Sequence, residues 1–64
     1  MTNFNFEEKQ VYSSDYIGDL IIKQRSKDYY GDFYNWVTVE EREENLNDTS
    51  LTHLLWDYNF KLKN

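Results

Sequence analysis

Both glycines of the chain occupy the same place in a repeated pattern, and that pattern limits the fold more than any other sequence feature. Ser13-Ser14-Asp15-Tyr16-Ile17-Gly18-Asp19-Leu20 is echoed by Ser26-Lys27-Asp28-Tyr29-Tyr30-Gly31-Asp32-Phe33, offset by thirteen residues. The shared unit is Ser-x-Asp-Tyr-apolar-Gly-Asp-apolar. Asp side chains bond the backbone two residues on, and Gly adopts positive φ without steric cost. The unit therefore reads as a turn that launches a strand. Two copies are too few for a solenoid, and the spacing predicts successive strands of a meander.

Three strands are expected on this basis. Residues 8–13 form the first, containing Val11 and Tyr12. Residues 19–24 form the second, centred on Leu20-Ile21-Ile22. Residues 32–40 form the third, where Phe33, Asn35, Val37 and Val39 alternate with Tyr34, Trp36 and Thr38. Alternate side chains point to opposite faces, so this strand carries apolar groups on both. Such a strand is usually covered on both sides, and only one cover is evident in the chain. The charged run 40–44 lacks an apolar stripe and is expected as a loop, with residues 45–48 as a connection.

A C-terminal helix follows from Leu51, Leu54, Leu55, Tyr58 and Leu62 at i, i+3, i+4, i+7 and i+11. Asp48 or Thr49 is the expected cap, and Lys61 and Lys63 are placed at the negative end of the helix dipole. Phe4 and Phe6 are expected to pack at an edge. The predicted fold is a single α+β domain spanning residues 1–64: a three-stranded antiparallel β-meander with one C-terminal amphipathic helix, β-β-β-α.

With 64 residues, the chain compensates for a small core with large side chains: six Tyr, four Phe and two Trp. Aromatic side chains bury about 150–250 Å² each, so few are needed. Twelve exceed what so short a monomer can hide, and surface Tyr and Trp favour interfaces. A homodimer or a protein partner is expected. There is no cysteine, so neither disulfides nor thiolate metal ligands arise. No leader pattern follows Met1 and no apolar run approaches membrane length, which points to the cytosol.

Twelve acidic against seven basic residues give a formal net charge of −5. This disfavours direct nucleic-acid binding and anionic membranes, and suits a basic protein partner. Catalytic chemistry is not visible. His53 is the single histidine, on the expected helix beside its apolar stripe. No phosphate-binding, dinucleotide or nucleophile-elbow motif occurs. Asp15 with Asp19, and Asp28 with Asp32, offer oxygen ligands, but an EF-hand's ligand alternation and terminal Glu are missing. Turn formation explains these aspartates better. No cofactor, metal or catalytic residue is assigned, and an enzyme is not expected.

The candidate partner-binding residues are Asp28, Tyr29, Tyr30, Asp32, Tyr34, Trp36, Glu40, Glu41, Glu43 and Glu44, with Asp15 and Asp19 as a secondary set. Carboxylates on a sheet and its loops can occupy a basic groove that otherwise holds nucleic acid, while Tyr34 and Trp36 supply anchoring area. In size, in aromatic-plus-acidic composition and in features such as Asp28-Tyr29-Tyr30-Gly31-Asp32, the chain resembles small acidic inhibitors encoded by phages and mobile elements. Phage uracil-DNA glycosylase inhibitors and some anti-CRISPR proteins are of this type. The resemblance implies an inhibitor or modulator of a host nucleic-acid-handling protein, acting in the host cytosol, often as a dimer. It implies no residue roles. Two alternatives stand beside it: a homo-oligomeric structural or accessory protein, and a nucleic-acid-binding regulator using Lys23, Arg25 and Lys27.

Overall fold

A computed structural model describes residues 4–63. Strands β1 (Val11–Ser14), β2 (Gly18–Lys27), β3 (Phe33–Val39) and β4 (Arg42–Asn47) form an antiparallel meander. Helix α1 (Asp48–Asp57) then crosses one face, and β5 (Lys61–Leu62) adds antiparallel to β1. The sheet order is β4-β3-β2-β1-β5, so the chain leaves one edge and returns at the other. The α+β class and an antiparallel meander with one helix match the sequence expectation, but the meander has four strands instead of three, and a fifth strand follows the helix where β-β-β-α was expected. None of the described helices is long and apolar enough to cross a membrane.

Both glycines do what the repeated unit implies, but its aspartate closes the turn only in the second copy; in the first, Ser14 Oγ, not Asp15, accepts from the Tyr16 N–H at 3.1 Å. Gly18 and Gly31 have φ of +107° and +91°, and each lies at or just before the start of a strand. In the second copy Asp28 Oδ1 accepts from the N–H of Tyr30 at 2.9 Å and of Asp32 at 2.8 Å, which closes the turn.

The expected loop over residues 40–44 is a correction. Arg42 pairs with Val39 and the strand runs on to Asn47, joined to β3 by only two residues, Glu40 and Glu41. Their φ values of +49° and +65° are those of a type I′ hairpin, which normally takes Asn-Gly. A run of glutamates lacks β-propensity, but pairing with the strongly apolar β3 overrides it.

Leu20 and Ile22 of β2 are fully buried against α1, together with Val37 of β3 and Tyr12 of β1. Between Ile22 and Gln24 the β2–β3 register shifts, inserting Lys23 as an extra residue. Such a bulge reverses which alternate residues face inward. Beyond it Arg25, opposite the buried Asn35, turns to the helix side.

Leu51 and Leu55 anchor α1, each stabilising the fold by roughly 1.5–3 kcal/mol on full burial. The cap is Asn47, not Asp48 or Thr49: its Oδ1 accepts from the Ser50 N–H at 2.7 Å. The helix is shorter than its leucine spacing suggests. Asn59 takes φ +55°, its N–H bonds the Trp56 carbonyl, and the Phe60 N–H bonds the Leu55 carbonyl at 2.9 Å. These bonds and the Phe60–Leu55 packing make a Schellman stop. Tyr58 is thus a partly exposed cap, and Leu62, Lys61 and Lys63 belong to β5 or its end instead of the helix. Phe6 is not at an edge either. It is buried in the core, with ring contacts to Phe4 at 5.8 Å and Tyr12 at 6.0 Å.

Candidate functional site

One face of the sheet is filled by α1 and the N-terminal segment. No element among the described residues covers the other. The register sets Glu43, Thr38, Ile21 and Val11 in one row across this free face, and Asn45, Trp36 and Gln24 in the next. Tyr34 follows, between Asn47 and Ser26. Trp36 keeps 42% of its surface exposed and Ile21 keeps 39%. The indole borders a shallow groove lined by Lys23, Gln24, Val37 and Glu43. A large aromatic at mid-sheet, in reach of charged neighbours, is the composition of an interface anchor. Tyr34 and Trp36 therefore share one accessible face, as their alternation suggested.

The acidic candidates divide into three groups. Glu40, Glu41, Glu43 and Glu44 lie together along the β3–β4 hairpin and edge strand β4, all exposed. Glu43 is on the free face, bonded to Lys23 Nζ at 2.8 Å, while Glu44, opposite Val37, is on the helix side. Glu40 and Glu41 hold positive φ, where a non-glycine residue costs about 1–2 kcal/mol. A second group, Asp28, Tyr29, Tyr30 and Asp32, forms the β2–β3 turn at the opposite end of β3. Tyr29 and Tyr30 are 96% and 85% exposed, in an edge-to-face pair at 5.4 Å. Asp28 is engaged by the turn itself. Asp15 and Asp19 make up the third group, at the β1–β2 turn. Asp19 accepts from Lys63 Nζ at 3.1 Å. That bond, with a further one from Ser13, holds its carboxyl below the ordinary value of 3.8. The candidates thus fall at two ends of the sheet: Asp19, on the free face two residues from Ile21, lies beside the Glu40 end of β3, while the Asp28–Asp32 turn lies at the other end.

The basic trio is dismantled by the bulge. Lys23 is bonded to Glu43, and Lys27 lies 5.7 Å from the Phe33 ring. Arg25 lies under α1, where it donates to the Phe6 carbonyl and, at 2.5 Å, to Asp48 Oδ2, with its guanidinium 4.2 Å over Phe33. Asp48 Oδ1 accepts from the buried Asn35 at 2.7 Å. Sequence reasoning missed this network because the bulge, not strict alternation, turns Arg25 inward. It also missed Ser14, whose Oγ donates to the Tyr58 carbonyl at 2.6 Å and ties β1 to the helix end.

Chemistry elsewhere is sparse. His53 is exposed and stacks on Trp56 at 5.7 Å, away from the free sheet face. Tyr12 is buried, and burial, followed by the nearby Glu7 charge, raises its phenol above the ordinary value of 10.0. Its hydroxyl donates to Gln10 Oε1 at 3.0 Å. Among the described residues no group of three or more His, Cys, Asp or Glu is placed to hold a metal ion. No protein-family model, curated protein or solved structure matches the chain.

Proposed function

We propose that this chain is a protein-binding inhibitor or modulator, not an enzyme, and that it occupies a basic, nucleic-acid-binding surface of a host protein. The observation that carries the reading is Trp36: a half-exposed indole on an uncovered sheet face, next to an edge bearing Glu40, Glu41, Glu43 and Glu44. Burying an indole supplies area at little entropic cost, and the carboxylates steer a basic partner toward it. The same carboxylates collect the electrostatic gain that nucleic acid would. The Tyr29–Tyr30 tip, at the far end of β3, gives a second contact if the partner is long enough to span the sheet.

The test is capture of host proteins on the immobilised chain, followed by a salt gradient and competition with duplex DNA. A nucleic-acid-handling protein released at moderate salt and displaced by DNA supports the proposal. Retention indifferent to salt and to DNA refutes it.

A second reading is a homodimer closed through the free face. It is favoured by the opposite charges at the two borders of that face, Lys61 toward β5 and Glu40 and Glu41 beside β4, Lys63 and Glu43 being already paired with Asp19 and Lys23. A two-fold axis parallel to the strands would bring each border over its opposite. Sedimentation equilibrium decides it: a dimer that Trp36→Ala dissociates supports this reading, and a monomer removes it.

A further inference from the structure

The two edges of the sheet are defended differently. Strand edges carry unpaired N–H and C=O groups, and proteins block them with short strands, lysine or proline. β5 has two residues and is flanked by lysine on either side of Leu62. β4 has six residues, Arg42–Asn47, with neither lysine nor proline. The two-residue hairpin makes Val39 and Arg42 a hydrogen-bonded pair, so Glu43 and Asn45 turn their backbone groups away from β3. Among the described residues, no backbone group outside the sheet bonds to them.

The side chains select what can add there. Glu43 projects on the free face and Glu44 on the helix side, with Glu40 and Glu41 at one end of the strand. A second copy pairing β4 with β4 would bring Glu43 and Glu44 of both copies to one seam, with Arg42 as the single basic residue of each strand, in a chain of net charge −5. Like charges placed opposite one another destabilise strand pairing. A basic strand finds Glu43 on the free face and Glu44 on the helix side, with Arg42 the one like charge on β4. Its residue opposite Asn45 lies in the row of Trp36, about two strand spacings or 10 Å away. The short Asn45 side chain leaves a lysine or arginine a path to the indole face, where a cation is attracted.

We propose that the β4 edge binds an extended lysine- or arginine-bearing segment of the partner as a sixth strand of the sheet. This rests on the partner-binding reading above and specifies how the partner engages.

The probe is a synthetic ten-residue peptide alternating Lys with Val or Thr, added to the full chain at low salt, with amide exchange followed by NMR. The expected result is slowed exchange at Glu43 and Asn45. N-methylating alternate peptide bonds of the probe should weaken binding at least tenfold, because it removes strand hydrogen bonds and leaves the charge. Asn45→Pro should do the same, since only an outward N–H is lost there. Binding that tolerates N-methylation, protection confined to the Tyr29–Tyr30 turn, or no binding at millimolar peptide overturns the inference. So does a dimer of the chain that Asn45→Pro converts to monomer, which would make a second copy the occupant. If Trp36→Ala abolishes capture of a basic host protein and Asn45→Pro does not, the edge inference fails and the broader reading stands. If neither variant alters capture, both fail.

Discussion

Replacing Glu40-Glu41 with Asn-Gly should make this protein more stable and a poorer binder. Both glutamates hold positive φ, +49° and +65°, in the two-residue turn between β3 and β4. A left-handed non-glycine residue costs about 1–2 kcal/mol, and asparagine relieves part of that. Glycine at position 41 relieves all of it but returns about 0.4–1 kcal/mol through the freer unfolded chain. Removing two carboxylates beside Glu43 and Glu44 adds a few tenths. The sum is a gain of about 1–1.5 kcal/mol, or roughly 7–11 °C in melting temperature for a domain this small. Urea unfolding measures it: with a slope near 1 kcal/mol/M, the midpoint should rise by about 1 M. Glu40→Gln with Glu41→Gln is the control, since it removes charge without relieving φ and should gain only tenths. If the Asn-Gly variant is no more stable than the Gln pair, the strain argument is wrong. Both variants should associate more slowly with a basic partner at low salt. A sequence that keeps glutamate where Asn-Gly is more stable then retains it for charge.

Three further outcomes follow from the same geometry. Asp48→Ala should destabilise the fold by about 2 kcal/mol in urea, because it strands Asn35 and Arg25 beneath α1; the figure is held to the low end of charged hydrogen bonds since the Asp48 side chain is partly exposed. Asp48→Asn should cost less. The Tyr12 phenol should titrate above 10.0 in an ultraviolet titration; its raised folded value means its contribution is complete below the unfolded pKa and is lost as pH rises through the folded one. For Asp19 the sign reverses: its lowered carboxyl contributes above the unfolded pKa and loses that contribution as pH falls through the folded value, below 3.8. NMR titration of Asp19 should show β5 amides exchanging faster over the same range, and Lys63→Met should abolish that coupling.

The turns and the two faces of β3 were legible because they depend on local chemistry. Gly18 and Gly31 needed only their missing Cβ, and Tyr34 and Trp36 needed only period-two alternation. What escaped depends on partners distant in sequence. β4 has no strand composition of its own and exists by pairing with Val37 and its neighbours. Arg25 reads as an exposed base until the extra residue Lys23 reverses the face. The helix end was in principle readable, since Asn59 is a residue that accepts left-handed backbone, but Leu62 continued the apolar spacing and outweighed it. Of the candidate site, the aromatic anchor and the β4 glutamates converge, while Asp28 and Asp32 lie at the far end of β3, because the thirteen-residue repeat places its two turns at opposite ends of β2.

The proposed contact between the free sheet face around Trp36 and a basic host protein can be trapped directly. The direct measurement places a photo-crosslinking amino acid at Trp36 and, as control, at His53 on the helix, and exposes each protein to host lysate. The expected result is one nucleic-acid-handling protein crosslinked from position 36, lost at high salt and absent from position 53. Crosslinks only to a second copy of the chain, or equal crosslinking from both positions, would contradict it.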